Sequence, residues 1–280
     1  MEIEFSQATD PGLDPAKRVN EDSCGYADTR FGHVFVVCDG MGGHTGGKQA
    51  SDIAIRTIFE RMEAAPGDVE PAEALVQAIE EAARRVYAFG GPATNLQRPG
   101  STCVALMLRD GRLDVCHVGD SRAYSIRGKQ IHRLTRDHSM VQELLDGGMI
   151  AEHEAMGHPD SNKITRALGM TPEVQVERRE EPMELYEGDV FVLASDGLTD
   201  LARDDDILVT VTEYLKDHSI QAAGNELVAL ANRRGGHDNI TVQLVRVLNP
   251  GYGSITRVQE PSVPLAGRGA VSTTIEGTPV

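Results

Sequence analysis

The sequence predicts an α+β fold, in which helices and strands form separate groups along the chain. Apolar residues recur at helical spacing within two neighbouring segments, 50–58 and 75–86. Short apolar and β-branched runs, broken by Asp-Gly and Arg-Gly pairs, then fill segment 101–135. A regular alternation of strands and helices would instead indicate a doubly wound parallel sheet, so the α+β class is favoured.

The N-terminal third contains two predicted strands and two predicted helices. The first strand is expected at residues 3–9. The second is the run 34–37, because a short β-rich segment bounded by glycines is more typical of a strand than of a helix. The helices follow, since their apolar residues recur every three or four positions. These residues are Ala50, Ile53, Ala54, Thr57 and Ile58, then Leu75, Ile79, Ala83 and Val86.

The remaining elements are predicted from turns and patterning. Segment 101–135 reads as an antiparallel meander, because Asp110-Gly111 and Arg127-Gly128 are typical hairpin turns. A short helix is expected within 138–150, followed by a polar, irregular segment at 151–167 that we interpret as a mobile flap. Two buried strands, one ending before Asp196 and one starting after Asp238, enclose a helix at 221–233.

Length and composition limit the domain count and the class of partner. A chain of 280 residues can bury one large core, so we expect a single domain at 1–248. Residues 249–280 are rich in Gly, Pro, Ser and Thr without an apolar period, which predicts a disordered tail. The formal net charge of −16 opposes attraction to nucleic acid and to anionic membranes.

Targeting signals and cysteine usage indicate a compartment. No apolar run approaches the length that spans a bilayer, and the N-terminus lacks a basic region followed by an apolar one. The four cysteines form no CxxC pair, which is typical of buried, reduced thiols. We therefore expect a cytoplasmic protein that acts as a monomer, without membrane or nucleic-acid partners.

Aspartates recur at the ends of the predicted buried strands. If these strands lie side by side, the carboxylates converge on one cleft and repel one another unless cations neutralise them. Carboxylate oxygens favour Mg²⁺ or Mn²⁺ over zinc or copper. A single aspartate at such a place is more often a turn or cap residue, so the prediction depends on their joint occurrence. The pairs are Asp39-Gly40, Gly119-Asp120, Asp196-Gly197 and Asp238-Asn239.

Two other phosphate-related motifs are weaker. Residues 42–49, GGHTGGKQ, match the nucleotide-binding pattern G-x-x-x-x-G-K, but Gln49 stands where Ser or Thr would hold Mg²⁺. An antiparallel meander also disagrees with the parallel sheet of such nucleotide hydrolases. The cysteine-phosphatase spacing C-x5-R follows three of the four cysteines, yet none of them lies in a glycine-rich phosphate loop.

Eight further segments stand out in order along the chain: RVNEDS (18–23), VVCDGMGGHTGGKQAS (36–51), GSTCVALML (100–108), HVGDSRAY (117–124), LTRDHS (134–139), ITRALG (164–169), LASDGLTD (193–200) and GGHDNITVQLVRV (235–247). They resemble the motifs of the metal-dependent PP2C-type protein phosphatases of bacteria, over about residues 3–248. The resemblance implies a four-layer α-β-β-α sandwich of two antiparallel sheets flanked by helices. It also implies hydrolysis of phosphoserine and phosphothreonine with two Mn²⁺ or Mg²⁺ ions.

The resemblance implies a role for each acid of the tight metal pair. Asp39 would bridge both ions, and the carbonyl of Gly40 would bind one of them. Asp196 and Asp238 would complete the shell of the other ion. Such a pair activates a water to attack phosphorus, so no protein nucleophile is required.

Three other acids are implied in looser roles. Glu21 and Asp22 would hold metal-bound waters. Asp120, together with Asp196, would bind a third, looser ion that occurs in bacterial members. Asn239 is a candidate to orient Asp238.

The groups that handle phosphate and the leaving group are less defined. His44 or a metal-bound water would protonate the leaving alkoxide, and Arg166 in the flap is a candidate substrate contact. The family's phosphate-binding arginine falls by spacing on Lys17, whereas the bidentate fork of arginine favours Arg18. We predict Arg18, because the prolines of segment 10–17 can absorb a shift of one residue.

An active enzyme is favoured over a pseudoenzyme or regulatory module of the same fold, because no expected metal-binding acid is replaced. The predicted substrates are phosphorylated proteins, and Ser/Thr kinases are the expected opposing partners. A P-loop-type nucleotide hydrolase is the remaining alternative.

Overall fold

The computed structural model describes residues 1–43, 45–91 and 98–251. Within them, the strands are β1 (Glu2–Asp10), β2 (Ser23–Thr29), β3 (Gly32–Cys38), β4 (Gly40–Met41), β5 (Gly100–Ser101), β6 (Cys103–Arg109), β7 (Arg112–Val118), β8 (Arg122–Arg127), β9 (Gln130–Arg133), β10 (Glu177–Arg178), β11 (Met183–Glu184), β12 (Val190–Ala194) and β13 (Ile240–Asn249). The helices are α1 (Thr45–Ala64), α2 (Pro71–Phe89), α3 (Met140–Asp146), α4 (Glu152–Ala155), α5 (Asp196–Thr199), α6 (Asp204–Asp217) and α7 (Ile220–Arg233).

Two antiparallel sheets form the centre of the fold. The first sheet has the order β1-β13-β12-β8-β9, and the second has the order β10-β7-β6-β3-β2 with β11 beside β7. A separate two-stranded ribbon, β4-β5, pairs Gly40 with Ser101 at the end of the second sheet. Every strand pair is antiparallel.

Three apolar cores separate the four layers. One core lies between the second sheet and the pair α1–α2. A second lies between the first sheet and helices α5, α6 and α7. The third, which includes Phe35, Leu106 and Phe191, fills the space between the two sheets. The predicted α-β-β-α sandwich is thereby confirmed.

The helices start where side chains can satisfy free backbone N–H groups. Glu70 accepts from the N–H of Glu73 and is followed by Pro71, whose missing N–H costs nothing at this position. Ser219 accepts from the N–H of Ala222 and caps α7, whose first residue, Ile220, lies one position before the predicted start at 221. Such capping fixes the helix starts, and apolar packing stabilises the helices themselves.

The predicted meander forms, but it is divided between the two sheets. The β6–β7 hairpin turns at Asp110 and Gly111, which have φ values of +45° and +72°. β7 then ends in the second sheet, and β8 continues in the first. The three residues between them, Gly119 to Ser121, cross from one sheet to the other. Asp120 is the middle residue of that crossing.

Several elements were absent from the sequence prediction, among them β2, β10, β11 and the short helix α5. Helix α6 was not predicted, although Ile207 and Val211 bury one face of it. Within the irregular segment 151–167, residues 152–155 form the short helix α4. Among the described residues, no helix has the length and apolar character needed to cross a bilayer.

We predict that residues after Gly251 contribute little to stability. The predicted tail began at Asn249, which belongs to β13 and accepts a hydrogen bond from the Gly251 N–H at 2.9 Å; residues 252–280 lie outside the described ones. A chain ending at Gly251 should unfold within about 2 °C of the full chain, since about 1 kcal/mol shifts a domain of this size by roughly 2–4 °C. Scanning calorimetry measures this, and a clearly lower midpoint would show that the tail packs on the domain.

Candidate active site

The predicted acidic residues converge at one end of the sandwich. Asp39 follows β3 of the second sheet, and Glu21 and Asp22 precede its neighbour β2. Asp196 and Asp238 come from the first sheet, where they lie just beyond β12 and just before β13. We call these five residues, together with Asp120, the acidic cluster. It lies where the ends of both sheets meet.

Three aspartates of the acidic cluster each have one buried carboxylate oxygen that accepts no hydrogen bond from the described residues. Asp22 and Asp120 are 4% and 7% exposed. Within the described residues, the Oδ1 atoms of Asp22, Asp120 and Asp196 accept no hydrogen bond. A buried acceptor left unpaired costs free energy, so these oxygens indicate a ligand that neutralises them.

Four carboxyl groups of the acidic cluster, those of Asp22, Asp39, Asp120 and Asp196, are harder to ionise than usual. Burial, followed by the charges of Asp22 and Asp196, raises the pKa of Asp39 well above its ordinary value. Burial also raises the pKa of Asp22 to about 7, and it raises the pKa of Asp120. Asp39 and Asp196 lie close enough to share a hydrogen bond. A divalent cation would reverse these shifts, because it stabilises the ionised form.

Glycines beside the cluster permit backbone approach that a side chain would prevent. A Cβ on Gly40 would lie 2.2 Å from the carbonyl oxygen of Gly47 and 2.5 Å from that of Glu21. A Cβ on Gly197 would lie 2.0 Å from the carbonyl oxygen of Asn239. These glycines bring the residues after Asp39 and Asp196 against the neighbouring chain segments, so the glycine-rich loop is required by packing as well as by any ligand.

Asn239 joins three segments of the site. Its Oδ1 accepts from the Glu21 N–H at 2.8 Å. Its Nδ2 donates to the carbonyl oxygens of Pro11 and Lys17, at 2.9 Å and 3.1 Å. Its contact with Asp238 is through its own N–H, at 2.7 Å from Oδ1. Asn239 therefore holds the loop before β2 against β13, a wider role than orienting Asp238.

The hydroxyl groups of Ser195 and Thr102 hold two of the acids. Ser195 donates to Oδ2 of Asp22 at 2.8 Å and accepts from the Thr241 N–H. Thr102 accepts from the Asp39 N–H at 2.9 Å, and its own N–H donates to the Asp39 carbonyl. Neither residue was predicted, although each one lies inside a quoted motif, GSTCVALML or LASDGLTD.

Asp200 is a further acid that sequence reasoning missed. Burial and the charge of Asp196 raise the pKa of Asp200 to about 7, against the opposing effect of Arg122. Asp200 lies four residues after Asp196 across the first turn of α5, a spacing that places both on one helix face. That four-residue spacing was the signal in the sequence that could have identified Asp200.

Lys17, rather than Arg18, faces the acidic cluster. A short 3₁₀ turn over Pro15–Lys17, in place of a strand, directs the ammonium group of Lys17 to 2.9 Å from both carboxylate oxygens of Asp238. Burial lowers the pKa of Lys17, but the hydrogen bond and charge of Asp238 outweigh it and raise the pKa overall. Arg18 is exposed. The sequence-based preference for Arg18 thus does not match the geometry.

Arg166, in the predicted flap, lies beside His138. Arg166 is half-buried, donates to the carbonyl of Gln175 at 3.1 Å and lies 3.0 Å from Nε2 of His138. Arg166 forms no hydrogen bond or ion pair with the acidic cluster in the described part of the chain, so its role as a substrate contact stays a prediction. His44 lies outside the described residues, and its role as an acid also stays a prediction.

A second group of potential ligands, His117, His138 and Glu177, does not have the geometry of a metal site. Their ligand atoms lie within 4.8 Å of one another. The two imidazole rings are stacked at 4.7 Å with an angle of 10°, so their in-plane lone pairs do not converge. His117 Nε2 donates to the Arg136 carbonyl, and His138 Nδ1 accepts from the Gly119 N–H. These atoms are engaged in hydrogen bonds.

The acidic cluster, by contrast, fits divalent cations. Its donors are hard carboxylate and carbonyl oxygens. Several of the carboxylate oxygens are buried and accept no hydrogen bond from the described residues, and burial together with mutual repulsion raises the pKa of Asp39 and Asp22. Mg²⁺ and Mn²⁺ prefer this donor set. A family model for protein phosphatase 2C matches residues 16–232. The chain belongs to the protein phosphatase 2C family.

Relatives and solved structures agree with this assignment. The serine/threonine phosphatase stp of Listeria monocytogenes serotype 4b (strain F2365) is 32% identical over 231 residues, which are 81% of this chain and 89% of the relative. The structure of the S. agalactiae serine/threonine phosphatase has a TM-score of 0.79 at 33% identity, and the match covers 88% of this chain and 100% of that chain. The catalytic domain of the phosphatase PstP in complex with two manganese ions has a TM-score of 0.73 at 32% identity, covering 88% and 99%.

The protein phosphatase 2C fold leaves no support for the P-loop alternative. Both large sheets are antiparallel, whereas a P-loop hydrolase requires a parallel sheet. Lys48, which would bind nucleotide phosphates, instead donates to the Asp22 carbonyl and to the Ser23 hydroxyl at 2.9 Å and 2.8 Å. The lysine of the GGHTGGKQ motif therefore holds the start of β2.

Proposed function

We propose that this chain hydrolyses phosphoserine and phosphothreonine in proteins and that it requires two Mn²⁺ or Mg²⁺ ions. One observation carries the proposal: carboxylates from both sheets converge at one end of the sandwich, and several of their buried oxygens accept no hydrogen bond from any residue that the structure describes. Membership of the protein phosphatase 2C family supports it, as do the names of the relatives and the manganese-bound PstP domain.

The residues that would hold the ions come from both sheets. Asp39 and the Gly40 carbonyl follow β3, and Asp39 would contact both ions. Asp196 and Asp238 would hold the second ion, while Glu21 and Asp22 would act through water. Ser195 and Thr102 keep Asp22 and the Asp39 backbone in place through the hydrogen bonds described above.

The bound ions and the side chains of the protein would contribute different parts of the chemistry. When bound, the two cations supply an activated water and neutralise charge that develops on the phosphoryl oxygens. Lys17 provides a cation beside Asp238, where it can bind a phosphate oxygen of the substrate. His44 and Arg166 remain candidates for the leaving-group proton and for a substrate contact.

The biological setting is part of the proposal. We propose that the enzyme acts in the cytoplasm as a monomer and opposes Ser/Thr kinases. The net charge of −16 supports the expectation that neither nucleic acid nor an anionic membrane is a partner. Substrate choice would depend on the flap and on the surface around the acidic cluster.

Peptide hydrolysis tests the function directly. The purified chain is incubated with matched phosphoserine, phosphothreonine and phosphotyrosine peptides, with and without Mn²⁺, and released phosphate is measured. We expect release from the first two peptides only when Mn²⁺ or Mg²⁺ is present. Release that persists in excess chelator, or that occurs only from phosphotyrosine, would refute the proposal.

A third, looser ion is predicted at Asp120. Asp120→Ala should leave the tight pair of sites intact and slow turnover, because Asp120 lies in the crossing between the sheets and belongs to neither tight shell. Calorimetric titration with Mn²⁺ should show the loss of a weak site and unchanged tight sites. Loss of both tight sites would contradict this assignment.

A further inference from the structure

The loop that carries Asp120 is held from both sides by two consecutive residues, Asp137 and His138. On one side, the Gly119 N–H donates to Nδ1 of His138 at 3.0 Å, and the His138 N–H donates to the Gly119 carbonyl at 3.0 Å. On the other side, Arg122 makes a bidentate ion pair with the carboxylate of Asp137, with distances of 2.6 to 3.1 Å. These residues lie in the LTRDHS motif, which no part of the proposed chemistry uses.

The hydrogen bond from Gly119 fixes the tautomer of His138. Because Nδ1 accepts a hydrogen bond from the Gly119 N–H, it must have a free lone pair. The neutral ring therefore carries its proton on Nε2. Nε2 lies 3.0 Å from Oε2 of Glu177, which accepts that hydrogen bond. Arg166 also lies 3.0 Å from Nε2, but it cannot donate to a protonated nitrogen, and its donor is used by the Gln175 carbonyl instead.

His138 also joins the Asp120 loop to the flap. Its carbonyl accepts from the Thr165 N–H at 2.8 Å. Thr165 precedes Arg166 in the ITRALG motif at the end of the flap segment. A single residue therefore contacts the backbone before Asp120 and the backbone of the flap.

The direction of the Asp120 carboxylate depends on this backbone. Asp120 is 7% exposed, and its Oδ1 accepts no hydrogen bond within the described residues. Gly119 has a φ of +106°, and a Cβ there would lie 2.7 Å from Cγ2 of Thr102. Because no described residue donates a hydrogen bond to Oδ1, the position of the Gly119 backbone helps to set where the Asp120 carboxylate points.

We propose that His138, kept in one tautomer by Glu177, is a positioning residue that directs the Asp120 carboxylate toward the loosely held third cation. The inference deepens the proposed function, since it rests on Asp120 being a ligand of that ion. It assigns His138 no contact with substrate and none with the tight metal pair.

Two amide substitutions separate the hydrogen bonds of His138. In His138→Asn, the side-chain oxygen lies near the position of Nδ1 and can still accept from the Gly119 N–H. In His138→Gln, the longer amide reaches the position of Nε2, so it can donate to Glu177 but leaves the Gly119 N–H unpaired. A role limited to filling space would not distinguish these variants.

Mn²⁺ titration by calorimetry provides the readout, with Asp120→Ala as the reference for loss of the loose site. We expect His138→Gln to weaken the loose site by about five- to tenfold, the effect of one lost hydrogen bond, and to leave the tight sites unchanged. His138→Asn should stay within about twofold of the parent chain. Equal affinities in the two variants would overturn the proposal.

Glu177 offers a second test on a more exposed side chain, which is 41% accessible, so folding is not at risk. In Glu177→Ala, Arg166 can donate to Nε2, the ring shifts its proton to Nδ1, and the Gly119 bond is lost. Glu177→Gln keeps an acceptor and serves as the matched control. We expect a several-fold weaker loose site in the Ala variant only, and a parent-like affinity in that variant would overturn the role of Glu177.

The metal readout also separates this inference from the proposed function. A chain that binds a third, loose Mn²⁺ but releases no phosphate from peptides would refute the function and leave the positioning role intact. A chain that dephosphorylates peptides but lacks any loose Mn²⁺ site would refute the positioning role alone.

Discussion

Asp39→Asn should remove almost all metal-dependent phosphate release. The substitution keeps the size of the side chain but removes the charge that would contact both ions, while Thr102 still accepts from the Asp39 backbone. Charge stabilisation by bound metal contributes several kcal/mol, so we expect turnover to fall by roughly a hundredfold or more. Initial rates with a phosphothreonine peptide at saturating Mn²⁺ measure this effect.

A matched control tests whether the loss of any one carboxylate charge lowers turnover. Asp28→Asn changes an exposed carboxylate on β2, whose side chain is 71% accessible, and should leave turnover unchanged. Asp39→Asn should unfold at or above the temperature of the metal-free parent, since removing one buried, repelled carboxylate relieves the cluster. Undiminished activity of Asp39→Asn, or full parent activity in excess EDTA, would exclude the two-metal mechanism.

Lys17→Ala should raise KM for phosphopeptides by about tenfold or more, whereas Arg18→Ala should leave KM nearly unchanged. Lys17 points into the acidic cluster and Arg18 is exposed, and a charge-assisted hydrogen bond contributes about 1.5–3 kcal/mol. The comparison is made at saturating Mn²⁺, because Lys17 also neutralises Asp238 and its loss changes metal affinity. Steady-state kinetics of both variants measures the effect.

Lys17→Arg adds a test of the chemistry at that position. A guanidinium at the same place can form two parallel bonds to phosphate, so KM should be no higher than in the parent chain. A large rise in KM for Arg18→Ala, with Lys17→Ala unchanged, would return the role to Arg18.

Much of the fold could be predicted because the local signals agree with the final packing. The apolar spacing of Ala50, Ala54 and Ile58 matches a helix face that is fully buried. The Asp110-Gly111 pair forms the hairpin turn that its residue types favour. The sandwich itself was implied by the order of motifs and not by these local patterns.

The errors arise where tertiary contacts override local pattern. Helix α6 contains Val209, Thr210, Val211 and Thr212, whose branched side chains favour strands, yet Ile207 and Val211 pack against the first sheet. The placement of Lys17, rather than Arg18, beside Asp238 also depends on tertiary contacts. Alternation along a strand could not predict a 3₁₀ turn that Asp14 caps and Asn239 binds.

The residues of the candidate active site also divide into those that a local pattern predicts and those that it does not. The strand-end aspartates were visible as a repeated local pattern. Ser195 and Thr102 were not, because a hydroxyl group becomes informative only when its partner from a distant strand is known. The tautomer of His138 depends on three segments of the chain and has no signal in any one of them.

The placement of the acidic cluster across both sheets has a thermodynamic consequence. Like charges from two halves of the sandwich oppose each other there, and a cation bound by both halves would act as a cross-link between them. Ligand binding of this kind adds about 2.7 kcal/mol to the free energy of unfolding when the free ion is at a hundred times its dissociation constant. The supply of divalent ions would then govern how long the chain survives proteolysis, quite apart from how fast it turns over.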